Sequence, residues 1–277
     1  VIFWGEHSID KDPRESVETT QIVSESFDAA GVPAVVGFME VTETERRNWV
    51  GVWQPTTGLS ENLYGKQHPV PWGEYVPLRE LTMKLATAAA QISLDLVPVD
   101  NAALLDVPLA DGRTLPIAVG ICFEVAYEPI IAEGVQLGGQ LILIPTNNAQ
   151  FMDSAESVQQ LQMARFRAAQ FSRSTLQVST NGVSAIVRPD GSVYAQTKEQ
   201  TADFLVASVP LRTSLTPSAR MGEAPANTAM VLGGALAAFS LGAYLYGRTL
   251  WRDYRRSEQE QAQQASDNSS VKWRKRG

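Results

Sequence analysis

Four places in this chain attach a reactive or ionisable side chain to a stiff piece of backbone. The apolar run 1–5 ends at Glu6, the run 117–121 at Cys122, and the run 141–144 at Pro145-Thr146-Asn147-Asn148. Segment 64–77, with three prolines and two glycines, reads as an extended loop that presents Lys66 and Glu74. Cys122 is the only cysteine, so no internal disulfide competes for it, and its thiolate would be a strong nucleophile. At an ordinary thiol pKa of about 8.5 only a few per cent is ionised at neutral pH, so the sulfur needs a base and a nearby cation. Glu6 is the base in this reading and Lys66 the cation. Lys66 can also donate to the oxyanion of a tetrahedral intermediate, with the backbone N–H of Phe123 as a second donor. A desolvated ammonium needs a counter-charge, which points to Glu74 as the carboxylate that holds it.

The elements that must position these groups alternate along the chain. Runs 1–5, 34–38, 49–53, 115–121, 141–144, 176–180, 183–188 and 204–209 read as strands, and 15–30, 78–92, 126–138 and 155–172 as helices. Pro13 and Gly31 frame the first helix, and Pro189-Asp190-Gly191 is a hairpin turn between 183–188 and 192–196. This order predicts a layered α/β domain with paired sheets inside. In α/β sheets the carboxyl ends of parallel strands are where departing loops assemble sites, so the ends at Glu6, Cys122 and Asn147-Asn148 are expected to meet.

Composition narrows the function classes. The chain has 277 residues, 44% of them hydrophobic and 19% charged, so it can bury a core and is neither disordered nor disulfide-stapled. One cysteine and two histidines, His7 and His68, leave too few soft ligands for a zinc or iron–sulfur site, and no metal or cofactor is expected. A formal charge of −7 argues against duplex nucleic-acid binding. That charge is segregated: residues 248–277 carry eight Lys/Arg against four Asp/Glu, and residues 1–247 carry 15 against 26. Between the two lies the uncharged run 229–246, close to the ~20 residues that cross a hydrocarbon core. Tyr244, Tyr246 and Trp251 supply interfacial aromatics, and Arg248, Arg252, Arg255 and Arg256 supply a cytoplasmic flank. The plainer alternative is a buried helix of a soluble core. The expected plan is a catalytic domain over 1–211, a linker over 212–228, a transmembrane helix over 229–247 and a basic cytoplasmic tail over 248–277. The chain opens inside an apolar strand-like run without an initiator Met, so an upstream membrane segment or export signal is expected.

At these residues the sequence resembles the nitrilase (carbon-nitrogen hydrolase) superfamily, whose members use a Glu, a Lys and a Cys in that chain order, and within it the apolipoprotein N-acyltransferases. The matching segments are Trp4-Gly5-Glu6, Tyr64-Gly65-Lys66 with Val70-Pro71-Trp72-Gly73-Glu74-Tyr75-Val76-Pro77, and Gly120-Ile121-Cys122-Phe123-Glu124. Thr146-Asn147-Asn148, Gln162-Met163-Ala164-Arg165 and Thr180-Asn181-Gly182 extend the likeness over about residues 1–210. Departures are Gly5 for the usual Pro, Phe123 for the usual Tyr and Gln150 near an often aromatic position. The resemblance implies a nitrilase-like α-β-β-α sandwich followed by a C-terminal transmembrane helix, with Glu124 added to the site and Asn147 and Asn148 in support. It implies a ping-pong reaction in which Cys122 takes an acyl chain from a phospholipid donor and passes it to the α-amine of a diacylglyceryl-modified apolipoprotein. It also implies a bacterial inner-membrane location, multi-pass in the full-length protein, with the catalytic domain extracytoplasmic. Plainer roles stand beside these: Cys122 as a core residue, Glu6 as a solvated strand end, Glu74 and Glu124 as structural ion-pair partners, Asn147 and Asn148 as turn residues, and His7 or His68 as the partner in a Cys–His dyad. An amide or nitrile hydrolase with the same three groups, or a silent membrane-tethered binding module, are the competing functions.

Overall fold

The computed structural model of the chain describes residues 1–85, 92–151 and 154–274. Its strands are β1 (Ile2–Phe3), β2 (Ala34–Val41), β3 (Glu45–Gln54), β4 (Gly58–Gly65), β5 (Asp95–Leu96), β6 (Leu104–Pro108), β7 (Thr114–Val119), β8 (Leu141–Thr146), β9 (Ser174–Ser179), β10 (Ala185–Val187) and β11 (Val193–Gln196). Its helices are α1 (Val17–Ala30), α2 (Arg79–Leu85), α3 (Glu128–Gln136), α4 (Glu156–Phe171), α5 (Pro217–Met221) and α6 (Ala224–Arg274).

Two mixed sheets face each other. The first runs β1-β2-β3-β4, with β5 also on β3, and the second runs β11-β10-β9-β8-β7-β6. Strands β7, β8 and β9 are parallel, as are β1 and β2. Between the sheets Val50, Val52 and Tyr64 meet Leu105, Ile117, Val119 and Leu143 in one apolar layer. The outer face of the first sheet, through Val36, Phe38 and Trp53, packs on Val23 and Phe27 of α1. The outer face of the second, through Ala118, Ile142 and Ile144, packs on α3 and α4 through Ile131, Val135, Ala164 and Phe171. The result is the α-β-β-α sandwich that the resemblance implied. Phe27 alone, only 2% exposed and with its ring tilted against Trp4 at 4.8 Å between centroids, is worth about 3–5 kcal/mol against alanine. Helix α1 starts at the Ser16 cap, whose hydroxyl accepts from Thr19 N, rather than at Glu15, and ends on Gly31 in the left-handed region at φ 64.

Several expectations change. Strands β4, β5 and β6 were not read from the sequence. β4 (Gly-Leu-Ser-Glu-Asn-Leu-Tyr-Gly) has weak strand propensity and forms because β3 supplies an antiparallel ladder. Residues 204–209, expected as a strand, have no ladder. Their alternation is satisfied by packing alone, with Leu205, Ala207 and Val209 against the inter-sheet core and Phe204 and Val206 in solvent. Segment 86–91 of the predicted helix 78–92 lies outside the described residues. The stretch 212–228, expected as a linker, carries α5, whose Ala219 is fully buried and accepts from Gln136 Nε2 at 2.7 Å. The compact unit accordingly extends over Val1–Gly222.

The second unit, Glu223–Gly277, holds α6, which continues beyond the expected span through the basic tail as one helix. It is the one helix among the described residues long and apolar enough to cross a membrane, with a mean hydropathy of 1.6 over its most apolar 18-residue stretch. Met230, Leu232, Leu236 and Phe239 are all more than half exposed, unlike the apolar side chains of a soluble core helix.

Candidate functional site

Glu6 follows β1 on a turn that includes His7 at φ 53. The turn lies hard against β2 at Gly37, where a Cβ would stand 2.7 Å from the Gly5 carbonyl oxygen and 3.0 Å from Glu6 Cα. Asn48, on the same face of β3 as Val50 and Val52, donates from Nδ2 to Glu6 Oε1 at 2.6 Å. Lys66 leaves the end of β4 fully buried, with Nζ 2.5 Å from Glu74 Oε1 and 3.5 Å from Glu6 Oε1. Val70 N donates to the other Glu74 oxygen at 2.7 Å, closing the lysine loop on itself.

The opposing sheet brings the thiol. Cys122 leaves the end of β7 at φ 55, a left-handed conformation that costs a non-glycine residue energy, and starts a 3-10 turn over Cys122–Ala126. Thr146 Oγ1, at the end of β8, is 3.2 Å from Cys122 Sγ, and Gln160 Nε2 on α4 is 3.6 Å from it. The Gln160 amide is oriented by Asn148 Nδ2, which donates to its Oε1 at 2.9 Å, and Asn148 Oδ1 accepts from Ser179 Oγ at 2.7 Å. Thr146 also lies 3.0 Å from Gln160 Oε1. Its single hydroxyl proton goes to that oxygen beside a neutral thiol, and to the sulfur once a thiolate forms. The two sheets are joined directly at the site, where Asn147 N donates to Glu6 Oε2 at 2.7 Å.

Burial and neighbours set the charges. Burial alone would push the Glu6 carboxyl up, but Lys66, His7, Asn48 and the Asn147 amide outweigh it and hold the group below its ordinary value. Burial likewise opposes the Lys66 charge, and Glu6, Glu74 and the nearby thiol reverse that, so the ammonium is held more firmly than in water. The Cys122 thiol is pushed up to about 12, first by burial and then by Glu6, against Lys66 and the Thr146 hydrogen bond. At neutral pH the site therefore pairs an anionic Glu6 and a cationic Lys66 with a neutral thiol. The nearby cation does not pre-ionise the sulfur, so its proton must leave as the sulfur attacks.

The remaining residues sort by contact. Glu124, fully buried, accepts from Gln67 N at 2.6 Å and His68 N at 2.9 Å on one oxygen, and from Tyr64 OH at 2.9 Å and Ile121 N at 2.7 Å on the other. Burial raises its carboxyl despite these donors. Its position ties the lysine loop to the turn that carries Cys122. Asn147 contributes its backbone, while its side chain accepts from Ala149 N as a turn residue. Phe123 is 39% exposed, edge-on to Tyr127. His68 also packs on Tyr127. Among the described residues no hydrogen bond joins either histidine to Cys122. His7 is shifted down, chiefly by burial and against the pull of Glu6. Asn48 and Gln160 escaped the sequence reading, and Thr146 entered it only as part of a strand-end segment, without a role of its own. Asn48 had a signal, a lone amide in the inward series 48, 50, 52 that otherwise reads valine.

Glu6, Glu74 and Cys122 open on one cavity of about 500 Å³, whose walls include Met39, Val70, Leu96, Phe151 and Met163. A thiol near an anionic carboxylate and a fixed ammonium, facing an apolar cavity, is suited to covalent attack on a carbonyl carried by an apolar chain. No cluster of metal-ligating side chains occurs among the described residues.

The sequence and the fold both have known counterparts. The apolipoprotein N-acyltransferase of Mycolicibacterium smegmatis is 30% identical over 227 residues, 80% of this chain and 37% of that protein. Its counterpart in Pseudomonas putida is 32% identical over 212 residues, 75% of this chain and 39% of that protein. The chain thus spans about two fifths of the length of these curated relatives. Among solved structures, Saccharomyces cerevisiae Nit3, a member of branch 10 of the nitrilase superfamily, superposes with a TM-score of 0.50 at 15% identity, over 71% of this chain and 66% of its own. The carbon-nitrogen hydrolase family profile matches residues 2–215, almost the whole sandwich that carries Glu6, Lys66 and Cys122. On that match the chain belongs to the carbon-nitrogen hydrolase family.

Proposed function

We propose that the chain carries the catalytic part of a membrane-bound N-acyltransferase, which moves a fatty acyl group from a phospholipid to the N-terminal amine of a diacylglyceryl-modified apolipoprotein. The observation that supports it most is the similarity of most of the chain to two proteins named apolipoprotein N-acyltransferase. In this reading Glu6 takes the Cys122 proton as Sγ attacks the donor's ester carbonyl. Lys66 Nζ and the Phe123 N–H hold the oxyanion. The C–O bond then breaks, Glu6 returns the proton to the departing glycerol oxygen, and lysophospholipid leaves a thioester on Cys122. The acceptor amine attacks that thioester with loss of a proton to Glu6, the C–S bond breaks, and the thiolate is reprotonated. Glu74 keeps Lys66 charged and in place.

Both substrates keep their acyl chains in the bilayer, since exposing them costs ~0.8 kcal/mol per CH₂. The span 229–246 anchors the domain there, with Arg248, Arg252, Arg255 and Arg256 on the cytoplasmic side and Cys122 outside. The decisive experiment is intact-protein mass spectrometry after incubation with phospholipid. A stable acyl adduct on wild type that is absent from Cys122→Ala supports the transferase. Rapid release of free fatty acid without an acceptor supports an amide hydrolase delivering to water, and no adduct supports a binding module. Labelling of Cys122 by a membrane-impermeant thiol reagent only after lysis, together with tail proteolysis in intact cells, would invert the topology.

A further inference from the structure

One charged group on the cavity wall has no place in the chemistry above. Arg46 sits on β3 two residues before Asn48, so strand alternation puts both on the face that looks into the site. Asn48 reaches Glu6, and Arg46 reaches the backbone: Nε donates to Leu94 O at 3.1 Å and Nη2 to Glu74 O at 3.2 Å. Among the described residues no carboxylate lies within 4 Å of its guanidinium. Its neighbours differ, since Arg14 and Arg47 are paired with Glu40 and Arg79 with Asp95. The acids around the cavity are spoken for: Glu6 by Asn48, Asn147 and Lys66, Glu74 by Lys66 and Val70, with Glu156 in the first turn of α4, where a negative charge suits the helix dipole. Asp95, close enough for Arg46 to influence it, is held by Arg79 through two hydrogen bonds.

Arg46 is thus a cation lining the reaction cavity, fixed through Nε and one Nη2 hydrogen, and among the described residues its Nη1 donors and the other Nη2 hydrogen are uncommitted. A planar guanidinium held in this way is suited to a phosphate oxyanion, and its orientation is set before the ligand arrives. We propose that Arg46 binds the phosphodiester of the acyl donor while the donor's ester carbonyl lies at Cys122. The inference rests on the acyl-transfer reading and adds the group that selects the donor.

The test compares dioleoylphosphatidylglycerol with dioleoylglycerol, which carries the same acyl esters without a phosphate. The rate of acyl-Cys122 formation in detergent micelles is measured by intact mass for the full chain and for Arg46→Gln. Wild type is expected to prefer the phospholipid, and the selectivity ratio should fall about ten- to a hundredfold in Arg46→Gln, the loss of a charge-assisted hydrogen bond, through KM rather than kcat. Arg46→Lys should keep part of the preference. An unchanged ratio in Arg46→Gln, including equal slowing of both donors through the Glu74 backbone, overturns the proposal. Loss of the phospholipid reaction on adding inorganic phosphate alone would reassign the site to free phosphate and overturn the headgroup assignment. Wild-type protein that alkylates normally at Cys122 yet forms no adduct from either lipid fails the acyl-transfer reading itself, a result distinct from equal use of both donors, which fails only the assignment of Arg46.

Discussion

Replacing Lys66 by methionine, which is unbranched and one heavy atom shorter and removes the charge, would leave Glu6 and Glu74 facing each other around a vacated cation. Glu6 is 2% exposed and Lys66 fully buried, and breaking a buried pair by removing one partner costs about 3–5 kcal/mol. For a unit the size of Val1–Gly222, at ~2–4 °C per kcal/mol, that is a fall in melting temperature of roughly 6–20 °C near neutral pH. The pH dependence gives the sharper test. In wild type the folded Glu6 carboxyl lies below its ordinary value of about 4.5, so its stabilising contribution is present above that value and is lost as pH falls through the folded one. Without Lys66, burial, the largest single influence on Glu6, raises the carboxyl instead. The variant then gains stability relative to wild type on acidification, because folded Glu6 can take a proton. Melting curves by tryptophan fluorescence in detergent at pH 8 and pH 5 should show a gap that is wide at the first and clearly narrower at the second. A deficit under about 3 °C at pH 8, or one of equal size at both values, would refute the idea that Lys66 neutralises a buried carboxylate pair.

Glu6→Gln should slow acyl-adduct formation by about a hundredfold or more, the contribution expected of a general base, and a normal adduct rate would move the base elsewhere. Alkylation of wild-type Cys122 by iodoacetamide should climb steadily from pH 7 to pH 10, because its thiol is pushed up to about 12, and a plateau in that range would show a thiolate already formed. Thr146→Val should lower the alkylation rate several-fold at pH 8 and Thr146→Ser restore it; equal rates in the two would mean the hydroxyl does not reach the sulfur. Glu124→Gln replaces one acceptor oxygen by a donor facing backbone N–H groups, so urea denaturation should show a loss of about 1–3 kcal/mol, and an unchanged midpoint would deny Glu124 its role in joining the lysine loop to the Cys122 turn.

The sandwich and the placement of Glu6, Glu74 and Cys122 around one cavity are legible in the sequence for a physical reason. Each of these groups stands at the end of an apolar run or in a loop stiffened by proline, and such positions are set by short-range chemistry. The rest depended on partners far away in the chain. Strand β4 has two glycines and a polar Ser-Glu-Asn centre and is a strand because β3 pairs with it. Segment 204–209 has the right alternation and no ladder, since alternation records burial on one side and says nothing of hydrogen-bond partners. Gln160 looks like any helical glutamine until α4 packs behind Cys122. The state of the thiol was equally hidden: proximity to a cation suggested easy ionisation, whereas the depth of burial decides the sign.

The bond between Asn147 N and Glu6 joins residues 141 apart in sequence, and this sets a schedule for the growing polypeptide. At about 5–20 residues per second, roughly 7–28 s pass between the synthesis of Glu6 and that of Asn147. From the synthesis of Lys66 onward Glu6 and Lys66 coexist without the end of β8 that closes over Glu6, and Cys122 leaves the ribosome before Thr146, whose hydroxyl reaches its sulfur. A buried charge pair this costly is thus assembled late, when the second half of the sandwich closes over the first. A ribosome stalled between residues 122 and 147 would hold a chain with its thiol made, its carboxylate made, and no means yet of bringing them into one dry pocket.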